Sequence, residues 1–210
     1  MSKVIILNGP PGVGKDTLAQ ALVAQLNSWR GRGFAEQHEF KASLVNIAKA
    51  ITGVGDGEWD RLYGRDQKER AQDVYGGLSA RKLLIKISEE WVKPQFGSDH
   101  FGELALAGVN KSRAKTIVFS DGGFLDELVP LAQYHQVEVI KLYREGYSYA
   151  GDSRDYIDPG QASEWNINCH NITLTEGRVG IAVHEILMRV DADYQRRNVL
   201  INNIHGGLLE

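Results

Sequence analysis

The chain of 210 residues has a single cysteine, Cys169, so no internal disulfide can staple it and the fold must rest on a buried core. It has no run of 18 apolar residues and no signal-peptide pattern at Met1-Ser2-Lys3. These absences predict a soluble, cytoplasmic protein with no membrane partner. Positive charge is not in excess either: 24 Lys and Arg stand against 27 Asp and Glu, a net charge of -3. That balance argues against a nucleic-acid partner and favours a small anionic ligand. Cys169-His170 has no neighbours at metal-ligand spacing, so a zinc site is not expected. The chain carries no internal repeat and no low-complexity segment, and its length suits one domain over residues 1–210.

What is present starts at Val4-Ile5-Ile6-Leu7, an apolar run followed by the turn Gly9-Pro10-Pro11-Gly12-Val13-Gly14 and by Lys15-Asp16-Thr17 at the head of an amphipathic pattern. The order predicts a strand, a phosphate-binding loop and a helix. Gly9 and Gly14-Lys15 have the spacing G-x-x-x-x-G-K, in which small residues let successive backbone N–H groups converge on nucleotide phosphates. The N-terminus of the next helix adds unpaired N–H groups and a favourable dipole, and Lys15 adds a fixed charge. Asp16 occupies the usual Ser/Thr position. A direct hydroxyl ligand to Mg²⁺ is therefore not expected there; Asp16 is suited to a metal-bound water and Thr17 to a phosphate oxygen.

Leu18, Ala21, Leu22 and Leu26 continue that helix to about Gly31. Glu39 to Ser43 reads as the end of a second strand, and Leu44, Ile47, Ala48 and Ile51 as the face of another helix that stops at Thr52-Gly53. Residues 53–77 are polar, anchored only by Trp59, Leu62 and Tyr63, and read as an excursion over a site. Ser79 opens a helix whose apolar face carries Leu83, Leu84, Ile87, Trp91 and Val92. Arg81 lies in its first turn, where a cation is disfavoured by the dipole, so an anion is expected to meet it. Asp99 to Val109 fits a further helix. Thr116 to Ser120 is a buried-strand pattern ending at Asp121, Gly122-Gly123 turns into a helix, and Val137 to Tyr143 is the next strand, with Arg144 at its end. A polar stretch of about 144–165, carrying Arg154 between Asp152 and Asp155, reads as a lid. Asn166 to Ile172 and Val179 to Val190 supply a last strand and helix, and the tail 191–210 has no readable pattern.

Strands alternating with helices behind a phosphate loop predict an α/β P-loop NTPase fold, a parallel five-stranded sheet with helices on both faces and small acceptor-binding (about 40–110) and lid segments. Asp121, at a strand's carboxyl end like the loop, would face the same crevice and orient a Mg²⁺-bound water. There is no N-K-x-D motif for a GTPase, and Gly122 rather than a glutamate follows Asp121, against a motor ATPase.

Gly14-Lys15-Asp16-Thr17, Phe40 to Leu44, the helix Leu78 to Leu84 with Glu90-Trp91, Phe96 to Asp99, and Ser120-Asp121 with Phe124 and Glu127 together resemble the nucleoside monophosphate kinases, closest to the phage-type deoxynucleoside monophosphate kinases. The likeness covers most of Val4 to Val190. It implies transfer of the γ-phosphate of ATP, with Mg²⁺, to a (deoxy)nucleoside 5′-monophosphate. A phosphate acceptor is already an anion, so positioning and charge neutralisation suffice and no His or Cys nucleophile is needed.

The expected roles follow. Gly9, Gly12, Val13, Gly14, Lys15, Asp16 and Thr17 hold the donor phosphates; Asp16, Thr17 and Asp121 hold the metal through water; Arg81 clamps the acceptor phosphate; Arg144 and Arg154 close over the transferring group. Lys41, Ser43, Lys68 and Arg70 belong to the acceptor side, and Phe40 or Trp59 is a candidate to stack its base. Where the family pattern has an arginine, this chain has Gly123, so one phosphate contact is missing or comes from elsewhere. Another acceptor, such as phosphomevalonate or a modified base in DNA, stays open, as do a nucleotide-binding protein without turnover and a homodimer.

Overall fold

A computed structural model describes residues 1–64, 66–152 and 154–206. Five strands, Lys3–Asn8 (β1), Ala35–His38 (β2), Thr116–Phe119 (β3), Gln136–Tyr143 (β4) and Asn168–Thr173 (β5), form one sheet in the order β2-β3-β1-β4-β5. All of its pairings are parallel. A parallel sheet sends every strand's exit to the same edge, so the turns after β1, β2, β3 and β4 gather there. The chain leaves central β1 for β2 and β3 on one side and crosses to β4 and β5 on the other. This reversal opens a crevice above β1 and β3.

The apolar run of β1 is buried on both faces. Ile5 and Leu7 pack with Leu18, Leu22 and Leu26 of helix Lys15–Arg30 (α1), while Val4 and Ile6 pack with Phe119, Leu128 and Leu131. The second and third helices are Lys41–Thr52 (α2) and Asp56–Tyr63 (α3). A continuous helical stretch follows: Ala80–Lys86 (α4), a wider π turn over Ile87–Val92, and Lys93–Phe96 (α5). Next come His100–Lys111 (α6), Leu125–Ala132 (α7), Pro159–Ser163 (α8), Val179–Val190 (α9) and Ala192–Gly206 (α10). A third cluster, with Trp59, Leu62, Tyr75, Leu83, Leu84 and Phe101, gives the polar excursion and the helices after it a small core of their own.

Several sequence expectations shift. The second strand ends at His38, before Glu39–Ser43; Phe40 has helical backbone angles and leads directly into α2. The polar excursion contains α3, signalled by Trp59, Leu62 and Tyr63 at helical spacing. The Ser79 cap is present, its Oγ accepting the Lys82 N–H at 3.2 Å. Trp91 is exposed rather than buried, because the π turn inserts a residue and rotates it off the apolar face. The segment after β4 is only partly a loop: Ile157 and Ala162 lie in the core, and α8 spans Pro159–Ser163. Within the tail Ala192–Gly206 forms α10, whose start is held by Arg30 through Asp191 at 3.1 Å and Asp193 at 2.6 Å. No helix among the described residues is long and apolar enough to cross a membrane.

Candidate functional site

The loop between β1 and α1 turns on Gly12 and Gly14, whose φ values of +78° and +113° belong to the left-handed region that side chains disfavour. The turn brings Lys15 back over the loop, where Nζ donates to the carbonyl oxygens of Gly9 at 2.5 Å and Pro10 at 2.9 Å. Burial, and then the positive Arg154, lower the Lys15 pKa to about 8, against the pull of Asp16 and Asp121. Asp16 and Thr17 stand exposed in the first turn of α1. Val13 is buried in the core beneath them.

Asp121 sits where β3 ends. Its two carboxylate oxygens accept the backbone N–H groups of Phe40 at 2.8 Å and Lys41 at 3.1 Å. The side chain therefore caps α2 across the sheet edge. Burial pushes its pKa up, against Lys41 and the two N–H donors. For Lys41, burial disfavours the ammonium, but Asp121 and Glu39 outweigh it and raise the pKa. Glu39 lies 3.2 Å from Lys41 Nζ.

Arg81 meets the anion expected for it, and that anion belongs to the chain. Its Nη2 donates to Oδ2 of Asp152 at 2.8 Å. The same carboxylate accepts Nε of Arg154 at 2.8 Å, Nη2 at 2.9 Å and the Arg154 backbone N–H at 3.1 Å. These bonds, those from Arg154 first, outweigh burial and hold the Asp152 carboxyl well below the usual carboxylate range. Gly123 explains how Arg154 arrives there. A Cβ at position 123 would lie 2.8 Å from Arg154 Cδ and 2.9 Å from Cγ, so the stem of Arg154 lies against the glycine. An arginine from the segment after β4 thus fills the space beside Gly123.

Asn8, fully buried at the end of β1, ties this segment down. Its Nδ2 donates to Gly122 O at 3.0 Å, Tyr149 Oη at 3.1 Å and Asp155 O at 3.3 Å, and its Oδ1 accepts the Ile157 N–H at 2.9 Å. Tyr147 packs on the phosphate loop, its ring carbon 3.2 Å from where a Gly12 Cβ would be. Arg144 lies over Tyr147, 4.9 Å from the ring centre, and 3.4 Å from Glu176. It flanks the loop and does not join Arg154 on Asp152.

The remaining expected residues fall on the periphery. Lys68 contributes its carbonyl oxygen to the Arg81 N–H at 3.1 Å, Arg70 is exposed, and Ser43 lines a cleft of about 470 Å³ between β2, α2 and α6. Phe40 and Trp59 are core residues, 4% and 3% exposed, stacked on Phe119 and Tyr63 respectively. Neither offers a face to a base.

Two residues of this cluster escaped the sequence analysis. Tyr63 is half-buried in the field of Lys41, Arg81 and Asp121, and burial raises its pKa. Its signal was present, since it follows Trp59 by four residues. Asp152 gave no signal beyond its proximity to Arg154. Glu127 is buried in the first turn of α7, and burial raises its pKa to about 7, against Lys93.

Among the described residues, no group of three His, Cys, Asp or Glu side chains could hold a metal directly. The exposed Asp16 and Thr17 and the capped Asp121 fit a hydrated Mg²⁺ bound mainly through phosphates, the way this ion usually sits in nucleotide sites.

No protein-family model matches the chain, and no curated protein matches it. Among solved structures it is similar to a plasmid partition protein from Borrelia burgdorferi, at 15% identity over 90% of this chain and 86% of that chain, with a TM-score of 0.41. An iodide-soaked crystal described in the same words gives 15% identity, 91% and 88% coverage and a TM-score of 0.39. The α/β fold stands on this chain's own parallel sheet and glycine-rich loop.

Proposed function

We propose that the chain is a phosphotransferase that moves the γ-phosphoryl group of ATP to the 5′-phosphate of a nucleoside or deoxynucleoside monophosphate. One observation supports this reading most. Lys15, Lys41, Arg81 and Arg154 gather around Asp121 and Asp152 at one edge of the sheet, Lys15 from the loop and the other three from outside it. A site that only stored a nucleotide would need the loop wall alone.

In this reading the loop N–H groups and Lys15 hold the β- and γ-phosphates. An oxygen of the acceptor phosphate attacks the γ-phosphorus, the bond to the β-γ bridging oxygen breaks, and ADP leaves with that electron pair. Arg81 and Arg154 offset the repulsion between the two anions. Bound Mg²⁺ would supply further neutralisation of the donor phosphates, with Asp16, Thr17 and Asp121 contacting its waters. The 5′-phosphate arrives deprotonated at neutral pH, so the chain supplies no general base.

The test is ADP release from ATP-Mg²⁺ against a panel of ribo- and deoxyribonucleoside monophosphates, phosphomevalonate, DNA and a no-acceptor control. Stimulation by one or a few monophosphates supports the proposal and names the acceptor; stimulation by phosphomevalonate or DNA alone moves the acceptor class. Asp121, with both oxygens engaged by backbone N–H groups, favours a second reading in which nucleotide is bound without turnover. ATP binding with the whole panel at the control rate would select that reading and overturn the first.

A further inference from the structure

Asp152 is a buried carboxylate between two partly exposed guanidiniums. Its side chain is 4% exposed, against 31% for Arg81 and 27% for Arg154. Oδ1 accepts the Arg154 backbone N–H and Nε, while Oδ2 accepts Nη2 of both arginines. Arg154 therefore turns its Nε–Nη2 edge inward and leaves Nη1 outside this pairing. Arg81 likewise spends Nη2 on Asp152, and its Nη1 lies 3.7 Å from Glu69, which is 58% exposed.

The two arginines come from segments far apart in the chain. Arg81 is fixed by α4, and Arg154 by its stem against Gly123 in a segment that Asn8 ties to β1. Two guanidiniums brought together repel each other, and a shared carboxylate offsets that cost while fixing both planes. Asp152 lies beneath the two guanidiniums and the exposed Glu69 lies beside Arg81; the outer N–H edges of arginines are of the kind that pairs with phosphate oxygens.

We infer that Asp152 is a positioning residue that assembles Arg81 and Arg154 into a preformed two-arginine cradle for the acceptor's phosphate. The role given to that phosphate rests on the proposed phosphotransfer; the cradle itself rests only on the contacts of Asp152. A phosphate monoester dianion bridges the outer edges, while the carboxylate stays beneath them and is not displaced. The orientation cost of joining the two arginines is met before the acceptor arrives.

The experiment compares the wild-type chain with Asp152→Asn, Asp152→Glu and Gly123→Ala. The last variant pushes Arg154 off its seat without touching the carboxylate. Two readouts are taken: donor and acceptor KM and kcat in the panel assay, and the arginine Nε–H resonances during titration with inorganic phosphate. In the wild type, phosphate shifts Arg81 and Arg154 along one saturation curve. Asp152→Asn is expected to raise the acceptor KM about tenfold with the donor KM within about twofold, as for loss of a charge-assisted hydrogen bond. It also splits the phosphate response into two weaker curves, and Asp152→Glu recovers part of both effects. Gly123→Ala reproduces the acceptor defect, which keeps the test alive should Asp152→Asn fail to fold.

Unchanged acceptor KM and an unchanged joint phosphate response in Asp152→Asn overturn the inference, as does tighter phosphate binding, which would make Asp152 a competitor of the anion. Should no monophosphate stimulate turnover while phosphate still moves both arginines together in the wild type alone, the kinase reading fails and the cradle stands.

Discussion

One wall of the candidate site is a contiguous stretch, Gly9 to Thr17, hung between β1 and α1, whereas the other draws Lys41, Tyr63, Arg81, Asp121, Asp152 and Arg154 from all along the first three-quarters of the chain. The loop wall owes its geometry to local rules: glycines that accept positive φ, a helix start and a lysine at fixed spacing. The assembled wall owes its geometry to contacts between residues such as Arg81 and Asp152, 71 apart in sequence. A locally specified wall tolerates changes elsewhere. A wall assembled at a distance depends on every tie that closes it.

The largest effect should separate the walls cleanly. Lys15→Ala is expected to lower kcat by about 10³-fold or more, the scale of losing a preorganised cation at a transferring phosphoryl group. The phosphate response of Arg81 and Arg154 should survive, and equal loss of both would show that the walls are not separable. The charge state of Lys15 adds a pH arm. Its ammonium has a pKa of about 8 in the ligand-free chain, and donor phosphates favour the charged form. Donor affinity should therefore fall as pH rises through 8, with uptake of a proton on binding above it, and Lys15→Arg should abolish that fall.

Next in size is Asn8→Ala, which leaves the Ile157 N–H and the Gly122 and Asp155 carbonyls without their buried partner. Destabilisation of roughly 3 kcal/mol is expected in denaturant unfolding. In folded protein the acceptor KM should rise more than the donor KM, because Asn8 anchors the segment carrying Arg154. A larger change in donor KM would reverse the comparison.

The last effect is confined to one pH range and concerns Glu127, buried in the first turn of α7. Burial raises its pKa from the ordinary 4.5 to about 7, so the folded chain retains a proton that the unfolded chain has released between those values. This contribution to stability is full below pH 4.5 and lost as pH rises through 7. Glu127→Gln should flatten the decline and gain up to about 3 kcal/mol at pH 8 relative to wild type, read from urea unfolding at several pH values. An unchanged pH profile would place Glu127 in a solvated setting.

Much of the fold was legible because its signals are local. The apolar runs of β1, β3 and β4, the cap at Ser79 and the periodicity of α1 and α9 each lie within a few residues. Where the sequence misled, a distant contact intervened. The start of α2 at Phe40 depends on the carboxylate of Asp121, 81 residues later, so the stretch from Glu39 looked like a strand's end. Trp91 fits an apolar face until the π turn rotates it into solvent. Phe40 and Trp59 look available for stacking until Phe119 and Tyr63 cover them.

The sequence by itself determined the phosphate loop, the alternation that makes the sheet parallel, and the presence of Arg81 where a helix would not choose a cation. Spacing along a chain fixes backbone geometry over one turn or one strand, and those features need nothing more. Only the tertiary structure decided that Gly123 leaves room for Arg154, that Asn8 ties the segment after β4 to β1, and that Asp152 joins two arginines across the crevice. Such choices depend on which side chains meet once the sheet brings its exits to one edge. Proximity in space between residues far apart in sequence has no period to read.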